Sequence, residues 1–349
     1  MTFPLRKSGT LPLACVVLLL IVVLPLGLDD FRLSLLSKYL CFSFVAIGIV
    51  LTWGYGGILS LGQGIFFGLG GYMMAMFLKL EASAPALPDF MVWSSVDKLP
   101  FWWEPFHGIG FTLLMILAVP ALLAYGLSYA IFKRRVSGVY FAIVTLCLAM
   151  TLTVLIVGQQ GDTGGANGIT DFRTFLGMDI VGDAARRKLY FVQAAAVSVL
   201  MLLASLLLRS RFGKILIAIR DSEARVRFSG YNTAHIKAFV FMLAAVLSSI
   251  GGAFYTLQVG LISPNVAGVV ASIEMVIFAA VGGRLSVPGA VVGALLVGFL
   301  KSYLSETFPE IWLYFLGAIF ILVVVAMPNG LAGLMAGMSR AQPNAGGAK

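Results

Sequence analysis

Residues 109–132 read IGFTLLMILAVPALLAYGLSYAIF, an unbroken run without a charged side chain. A helix needs about 20 apolar residues to cross the hydrocarbon core of a membrane. A membrane-spanning β-barrel would instead show alternating polar and apolar residues, which this run lacks. The run therefore predicts a membrane-spanning α-helix, and similar runs recur along the chain.

The composition extends this prediction to the whole chain of 349 residues, which is 60% hydrophobic and only 11% charged. A soluble domain carries about 25% charged residues, and so few charges cannot cover a surface exposed to water. These proportions exclude a cytosolic enzyme and a disordered scaffold. We predict an all-α, multi-pass protein of the bacterial inner membrane.

The apolar runs give ten candidate membrane spans. The first follows Arg6 and Lys7, as in a secretory signal, but no small-residue cleavage site follows it, so we predict a retained span. The eighth and ninth are short and are divided by the glycine-containing segment 282–289. The ten spans lie at 11–28, 34–52, 57–78, 109–132, 137–157, 189–208, 238–259, 269–283, 287–304 and 311–327.

The net charge of +9 could suggest nucleic-acid binding. The basic residues lie between the apolar runs, however, where Lys and Arg mark the cytoplasmic side of a membrane protein. With both termini in the cytoplasm, most Lys and Arg residues fall on that side, most densely in the inner loop 209–237. We therefore predict an N-in, C-in orientation, contact with membrane lipid and no nucleic-acid partner.

We predict that residues 1–349 form one transmembrane domain. Two loops, 79–108 and 158–188, are assigned to the outer side, and residues 339–349 are predicted to be a disordered tail. The three cysteines and two histidines show no metal-ligand spacing, so no metal site or cofactor is expected. No Gly-x-x-x-x-Gly-Lys-Ser/Thr sequence occurs, which predicts that the chain has no nucleotide site of its own.

The densest glycine segment, GYGGILSLGQG at 54–64, leaves two structures open. Glycines let neighbouring helices pack closely. Alternatively, the span is broken there, and its irregular backbone lines a solute path. Ser60 and Gln63 would share one face if the segment were helical. The amide of Gln63 both donates and accepts hydrogen bonds, which suits a neutral polar solute.

Glu274 is an acidic residue within a predicted span. A charged residue at the centre of a span costs about 2.5–3.5 kcal/mol on insertion scales, so its side chain is expected to face the protein interior. It could form a hydrogen bond in a pore, take part in a proton relay, pair with Arg284, or fix the packing of two helices. A relay needs several titratable groups, which counts against proton-coupled transport.

The inner-loop segment 213–230, GKILIAIRDSEARVRFSG, alternates charged and apolar residues. It could form a surface helix held by lipid head groups, or a helix that docks into the groove of a partner protein. Asp221 and Glu223 are unnecessary in a helix that binds anionic lipid. Docking is therefore the favoured interpretation.

Taken in order, several segments resemble the permease subunits of the ATP-binding cassette uptake family for branched-chain amino acids and urea. The resemblance extends from about residue 40 to 335. The family-wide segments are 56–72, 218–223 and 272–284, and those most similar to urea-type permeases are 138–143, 167–172, 225–231 and 309–313.

The resemblance implies a permease without enzymatic activity. It would work with a second homologous permease, two ATP-binding subunits that hydrolyse ATP, and a periplasmic substrate-binding protein. It further implies that Arg220, Asp221 and Glu223 contact the ATPase, and we add Arg225 from the same segment to this docking set.

The leading functional hypothesis is urea import, with short amides as further possible substrates. Urea is neutral, and Ser60, Gln63 and Glu274 are candidate groups along its path. Branched-chain amino acids are the alternative; as zwitterions they would need a charge pair or helix terminus for each pole, and the nearly charge-free spans favour urea. A third hypothesis is that the protein is an ion-driven secondary carrier.

Overall fold

The computed structural model describes residues 10–136, 138–180, 182–326 and 330–333, and the predicted tail at 339–349 lies outside them. The described chain is predominantly helical, which confirms the all-α prediction. Four two-residue strands form two antiparallel pairs: β1 (Ile169–Thr170) with β4 (Leu261–Ile262), and β2 (Thr174–Phe175) with β3 (Met178–Asp179). The helices are α1 (Thr10–Leu18), α2 (Leu24–Gly27), α3 (Asp30–Ile49), α4 (Gln63–Ser83), α5 (Asp89–Trp93), α6 (Ile109–Lys133), α7 (Val139–Gly158), α8 (Gln160–Thr163), α9 (Asp183–Arg209), α10 (Arg211–Phe228), α11 (Thr233–Val259), α12 (Val269–Gly282), α13 (Val287–Thr307) and α14 (Trp312–Ala326).

Every predicted span overlaps an apolar helix in the described residues. Seven helices are long and apolar enough to cross a membrane: Asp30–Tyr55, Gln63–Ser83, Ile109–Lys133, Val139–Gly158, Asp183–Arg209, Thr233–Val259 and Val287–Thr307. Three further apolar helices are shorter: Leu11–Gly27, Val269–Gly282 and Trp312–Ala326.

The third span differs from its prediction. A helix was expected over 57–78, but α3 continues through a π-helical turn, Val50–Tyr55, and residues 56–62 are not helical. Gly57 adopts a φ of +67°, a left-handed conformation that glycine accommodates without strain. The next helix therefore begins only at Gln63.

Helix α11 lies at the centre of the molecule and packs against α3, α4 and α6. Small residues allow its close approach to α4: a Cβ added at Gly252 would lie 1.8 Å from the Phe67 carbonyl oxygen, and one at Gly70 would lie 2.0 Å from that of Ser249. In the most apolar 18-residue window, 83% of α4 is buried, against 22% of α6. Helix α4 is thus a core helix, and α6 exposes most of its apolar surface.

Pairing of β1 with β4 fixes the chain just before α12. Ile169 pairs with Ile262, so the predicted outer loop 158–188 is joined to the segment that leads into that helix. This approach brings Ala267 against α4, where a Cβ added at Gly68 would lie 2.6 Å from the Ala267 Cβ. The start of α12 is thereby held beside the start of α4.

Candidate functional site

The glycine-rich segment packs against the turn between α12 and α13. A Cβ added at Gly54 would lie 1.7 Å from the Arg284 carbonyl oxygen, so only glycine fits this contact. The Tyr55 hydroxyl donates a hydrogen bond to the Leu285 carbonyl at 2.9 Å. The Arg284 guanidinium lies 5.8 Å from the centre of the Trp53 ring. Two motifs that are far apart in sequence therefore form one junction.

Helix α10 joins the same junction through Arg220. Its Nη1 donates to the Gly54 carbonyl at 2.8 Å, and its Nε donates to Asp221 Oδ1 at 3.0 Å. A Cβ added at Gly57 would lie 2.9 Å from Arg220 Cγ. The glycine-rich segment, the turn between α12 and α13, and helix α10 thus meet at the end of the π-helical turn.

A cluster of uncharged polar groups surrounds the first turn of α4. Gln63 is fully buried, and its Oε1 accepts a hydrogen bond at 3.0 Å from Ser248, in the middle of α11. The Gly64 N–H donates to Ser272 Oγ at 3.1 Å. Gln63 Nε2 is buried and finds no hydrogen-bond partner within the described part of the chain. The cluster therefore has a free amide donor on a side chain that is bonded to Ser248, and Ser272 is bonded to the next residue along the chain.

Ser60 lies in the nonhelical segment, so the condition for it to share a helix face with Gln63 is not met. Ser60 is buried, and its Oγ accepts a hydrogen bond from the Gly62 N–H at 3.3 Å. Thr145 Oγ1, from α7, accepts one from the Leu61 N–H at 3.2 Å. These bonds satisfy backbone donors of the break.

Glu274 forms an ion pair with Lys301 at 2.7 Å, which joins α12 to α13. The suggested pairing with Arg284 was wrong, because Arg284 lies at the junction described above. Lys301 Nζ also lies 4.9 Å from the centre of the Trp312 ring. Among the described residues, Glu274 has no hydrogen bond to Ser60 or Gln63. The three predicted path residues therefore do not form one hydrogen-bonded group.

The predicted docking residues have different surroundings. Asp221 is exposed and pairs with Arg220, whereas Arg225 is exposed and its side chain has no ion pair in the described structure. Glu223 accepts hydrogen bonds from Arg227 at 2.8 Å, from Thr233 at 3.0 Å and from Lys237. Glu223 therefore binds the start of α11.

A cavity of about 240 Å³ opens beside Glu223. It lies where the end of α6 meets α10 and α11, and three cationic side chains face a single carboxylate there. The charge of its lining is therefore positive. The lining residues are Phe132, Arg135, Val136, Glu223, Ala224, Arg227 and Lys237.

Acidification is expected to loosen the contact between α10 and α11. Burial raises the pKa of Glu223, but Lys237, Thr233 and Arg227 outweigh this and hold the pKa below its usual 4.5. A carboxylate with a lowered pKa stabilises the fold above its unfolded-state pKa, and this stabilisation is lost as the pH falls through the folded-state pKa. A spin label at Ser229 should therefore gain mobility below about pH 4.5.

The matched control for this titration is Glu223→Gln, which keeps the size of the side chain and removes its charge. The mobility of the label in that variant should depend less on pH than in the unmodified protein. An equal pH dependence in both proteins would assign the effect to other carboxylates.

Sequence comparisons relate this chain to known transport proteins. Residues 31–324 match the family model described as branched-chain amino acid transport system / permease component. The permease protein LivM of the high-affinity branched-chain amino acid transport system of Escherichia coli K12 is 22% identical over 336 residues, which cover 90% of this chain and 73% of LivM. No solved structure gives a significant match.

Two further relatives broaden the comparison. LivH of Salmonella typhimurium, a permease protein of the corresponding system, is 24% identical over 302 residues, covering 84% of this chain and 91% of LivH. The ribose import permease protein RbsC of Haemophilus influenzae is 26% identical over 212 residues, covering 56% of this chain and 63% of RbsC. The relatives thus include permeases named for different solutes.

Proposed function

Since the chain belongs to the family of permease components of branched-chain amino acid transport systems, we propose that it forms part of the membrane path for urea in an ATP-driven importer. The chain is a multi-pass protein of the bacterial inner membrane and a transport subunit, not an enzyme.

The observation that carries the urea proposal is the unpartnered Nε2 of buried Gln63. Leaving a buried amide donor without a partner costs about 1–3 kcal/mol, and a solute oxygen would remove this cost. Urea offers one carbonyl oxygen and four N–H donors. Ser248 supplies a hydroxyl oxygen bonded to the Gln63 side chain, and Ser272 supplies one bonded to the Gly64 N–H. Ser60 supports this site indirectly, because it holds the broken backbone in place.

Branched-chain amino acids are the second candidate, favoured by two observations. The Glu274–Lys301 pair provides both signs of charge within the helices. LivM and LivH are also permease proteins of branched-chain amino acid systems. A zwitterion could exchange its ammonium and carboxylate groups for the partners of this pair.

The proposed partners are a second homologous permease, two ATP-binding subunits and a periplasmic substrate-binding protein. Similarity to both LivM and LivH supports a pair of permeases. We propose that loop 209–237 faces the cytoplasm and docks the ATP-binding subunits through the exposed side of α10. Asp221 and Arg225 lie on that side, and the adjoining cavity offers a concave, cationic surface.

Uptake of radiolabelled urea and leucine by vesicles containing the complete transporter tests the substrate. We expect ATP-dependent urea uptake, and Gln63→Leu should raise its KM roughly three- to tenfold, the effect of one neutral hydrogen bond. Gln159→Leu is the matched control, because Gln159 is exposed. Leucine uptake without urea uptake would assign the transporter to amino acids instead.

A further inference from the structure

We infer that Arg220 is a positioning residue that ties α10 to the broken span, and that it does not serve as a contact for the ATPase. The resemblance to the permease family implies that this arginine contacts the ATPase. Its guanidinium instead donates a hydrogen bond to the Gly54 carbonyl within the permease. The functional consequence rests on the proposed transport function. The hydrogen bond from Arg220 to Gly54, called the tether below, can be measured in the isolated chain.

The bond from Arg220 ends at a carbonyl that is suited to receive it. Gly54 belongs to the last turn of the π-helix Val50–Tyr55, where carbonyl groups lack partners within the helix. A cation is favoured at this end of a helix. Asp221 holds the other side of the guanidinium, and the backbone of Gly57 packs against the arginine stem. The side chain is therefore fixed along its length.

Helix α10 is divided at Ser222, two positions after Arg220. Ser222 has φ −160° and ψ 86°, which interrupts the helical backbone between Asp221 and Glu223. The part before the kink is bonded to the broken span through Arg220. The part after it is bonded to α11 through Glu223 and Lys237. A movement of α10 would therefore act on both the broken span and α11.

A short segment of backbone connects Gly54, which accepts the bond from Arg220, to Gln63 at the candidate solute site. Residues 56–62 are nonhelical, and the next residue is Gln63. This segment links Gly54 to α4, so a displacement of Gly54 must change the backbone angles of the segment or move the start of that helix. Gly57, at φ +67°, has the freedom to act as the hinge. The Leu61 and Gly62 end is held by Thr145.

Arg225 provides a matched comparison, because it is an exposed arginine on the same helix without an ion pair in the described residues. In the complete transporter, Arg220→Met should leave the affinity for the ATP-binding subunits unchanged. Its maximal uptake rate should fall roughly tenfold or more, the effect of losing a charge-assisted hydrogen bond, at an unchanged KM. Arg225→Met should instead weaken binding of the ATP-binding subunits.

Arg220→Lys tests whether the bond itself matters, since lysine retains a cationic donor. Partial recovery of the uptake rate relative to Arg220→Met is expected. Loss of the ATP-binding subunits from Arg220→Met, to the extent seen with Arg225→Met, would overturn the inference. An unchanged uptake rate in Arg220→Met would also overturn it.

Hydrogen exchange in the purified chain tests the tether without any partner. Arg220→Met should increase exchange at the amides of residues 56–58, which bond to the π-helical turn, while Arg225→Met should not. Equal exchange in all three proteins would overturn the tether. If the unmodified transporter takes up neither solute with ATP, the proposed function fails, but the exchange result still decides whether the tether exists.

Discussion

Gly54→Ala is expected to disrupt the junction between the broken span and the turn that joins α12 to α13. The new Cβ would lie 1.7 Å from the Arg284 carbonyl oxygen and 2.9 Å from its carbonyl carbon. Both atoms belong to the backbone, so no side-chain rotation can relieve the clash. Overpacking costs about 1–3 kcal/mol and occasionally more, and we expect about 3 kcal/mol or more here.

Thermal unfolding in detergent, followed by the loss of monodisperse protein, measures this effect. Gly126→Ala is the matched control, because Gly126 lies within α6 with no neighbouring atom inside 4 Å of an added Cβ. That substitution should be neutral or stabilising by about 0.5–1 kcal/mol, since alanine has the higher helix propensity. Equal unfolding temperatures for Gly54→Ala and the unmodified protein would contradict the described contact.

The two glycine variants also illustrate what the sequence can predict. The spans were predictable because a long uncharged apolar run has few other stable structures. The role of individual glycines was not predictable, because close helix packing and a break in the helix both occur within the glycine-rich segment 54–64. Gly64 lets α4 approach Ser272 of α12, whereas Gly57 lies in a break. The difference depends on neighbours that are distant in sequence.

The candidate site was predictable only in part for the same reason. Gln63 was identified from its residue type, but its partner Ser248 lies 185 positions away, and Ser272 lies 208 positions from Gly64. Serines are common in membrane helices, and neither has a distinctive spacing. Only the packing of α4, α11 and α12 reveals that they meet. Whether these groups contact a solute is still a prediction.

Glu274 pairs with Lys301 and not with Arg284 for a geometric reason. Arg284 lies ten positions further along the chain, beyond the end of α12. The eight helical positions from Glu274 to Gly282 extend about 12 Å, and Arg284 lies beyond them. Lys301 comes back beside Glu274 because α13 packs against α12. A partner for a charge in a span is therefore better sought on the next helix.

Lys301→Met is expected to destabilise the protein more than Glu274→Gln. The Glu274 side chain is 8% exposed, against 34% for Lys301, so losing the lysine leaves the more buried charge unpaired. Breaking a buried ion pair from one side costs about 3–5 kcal/mol. The double variant Glu274→Gln/Lys301→Met removes both charges and should recover most of the lost stability. Unfolding temperatures of the four proteins measure the coupling between the residues.

The double variant separates the structural role of Glu274 from its proposed role in the solute path. If the double variant is as stable as the unmodified protein but its uptake falls, the charged pair has a role in transport beyond packing. Normal uptake by the stable double variant would make the pair a packing element and remove Glu274 from the path. Lys98→Met controls for the loss of a cation, because Lys98 is exposed in the loop between α5 and α6. Since urea carries no charge and an amino acid carries two, a loss confined to leucine uptake would favour the amino acid candidate.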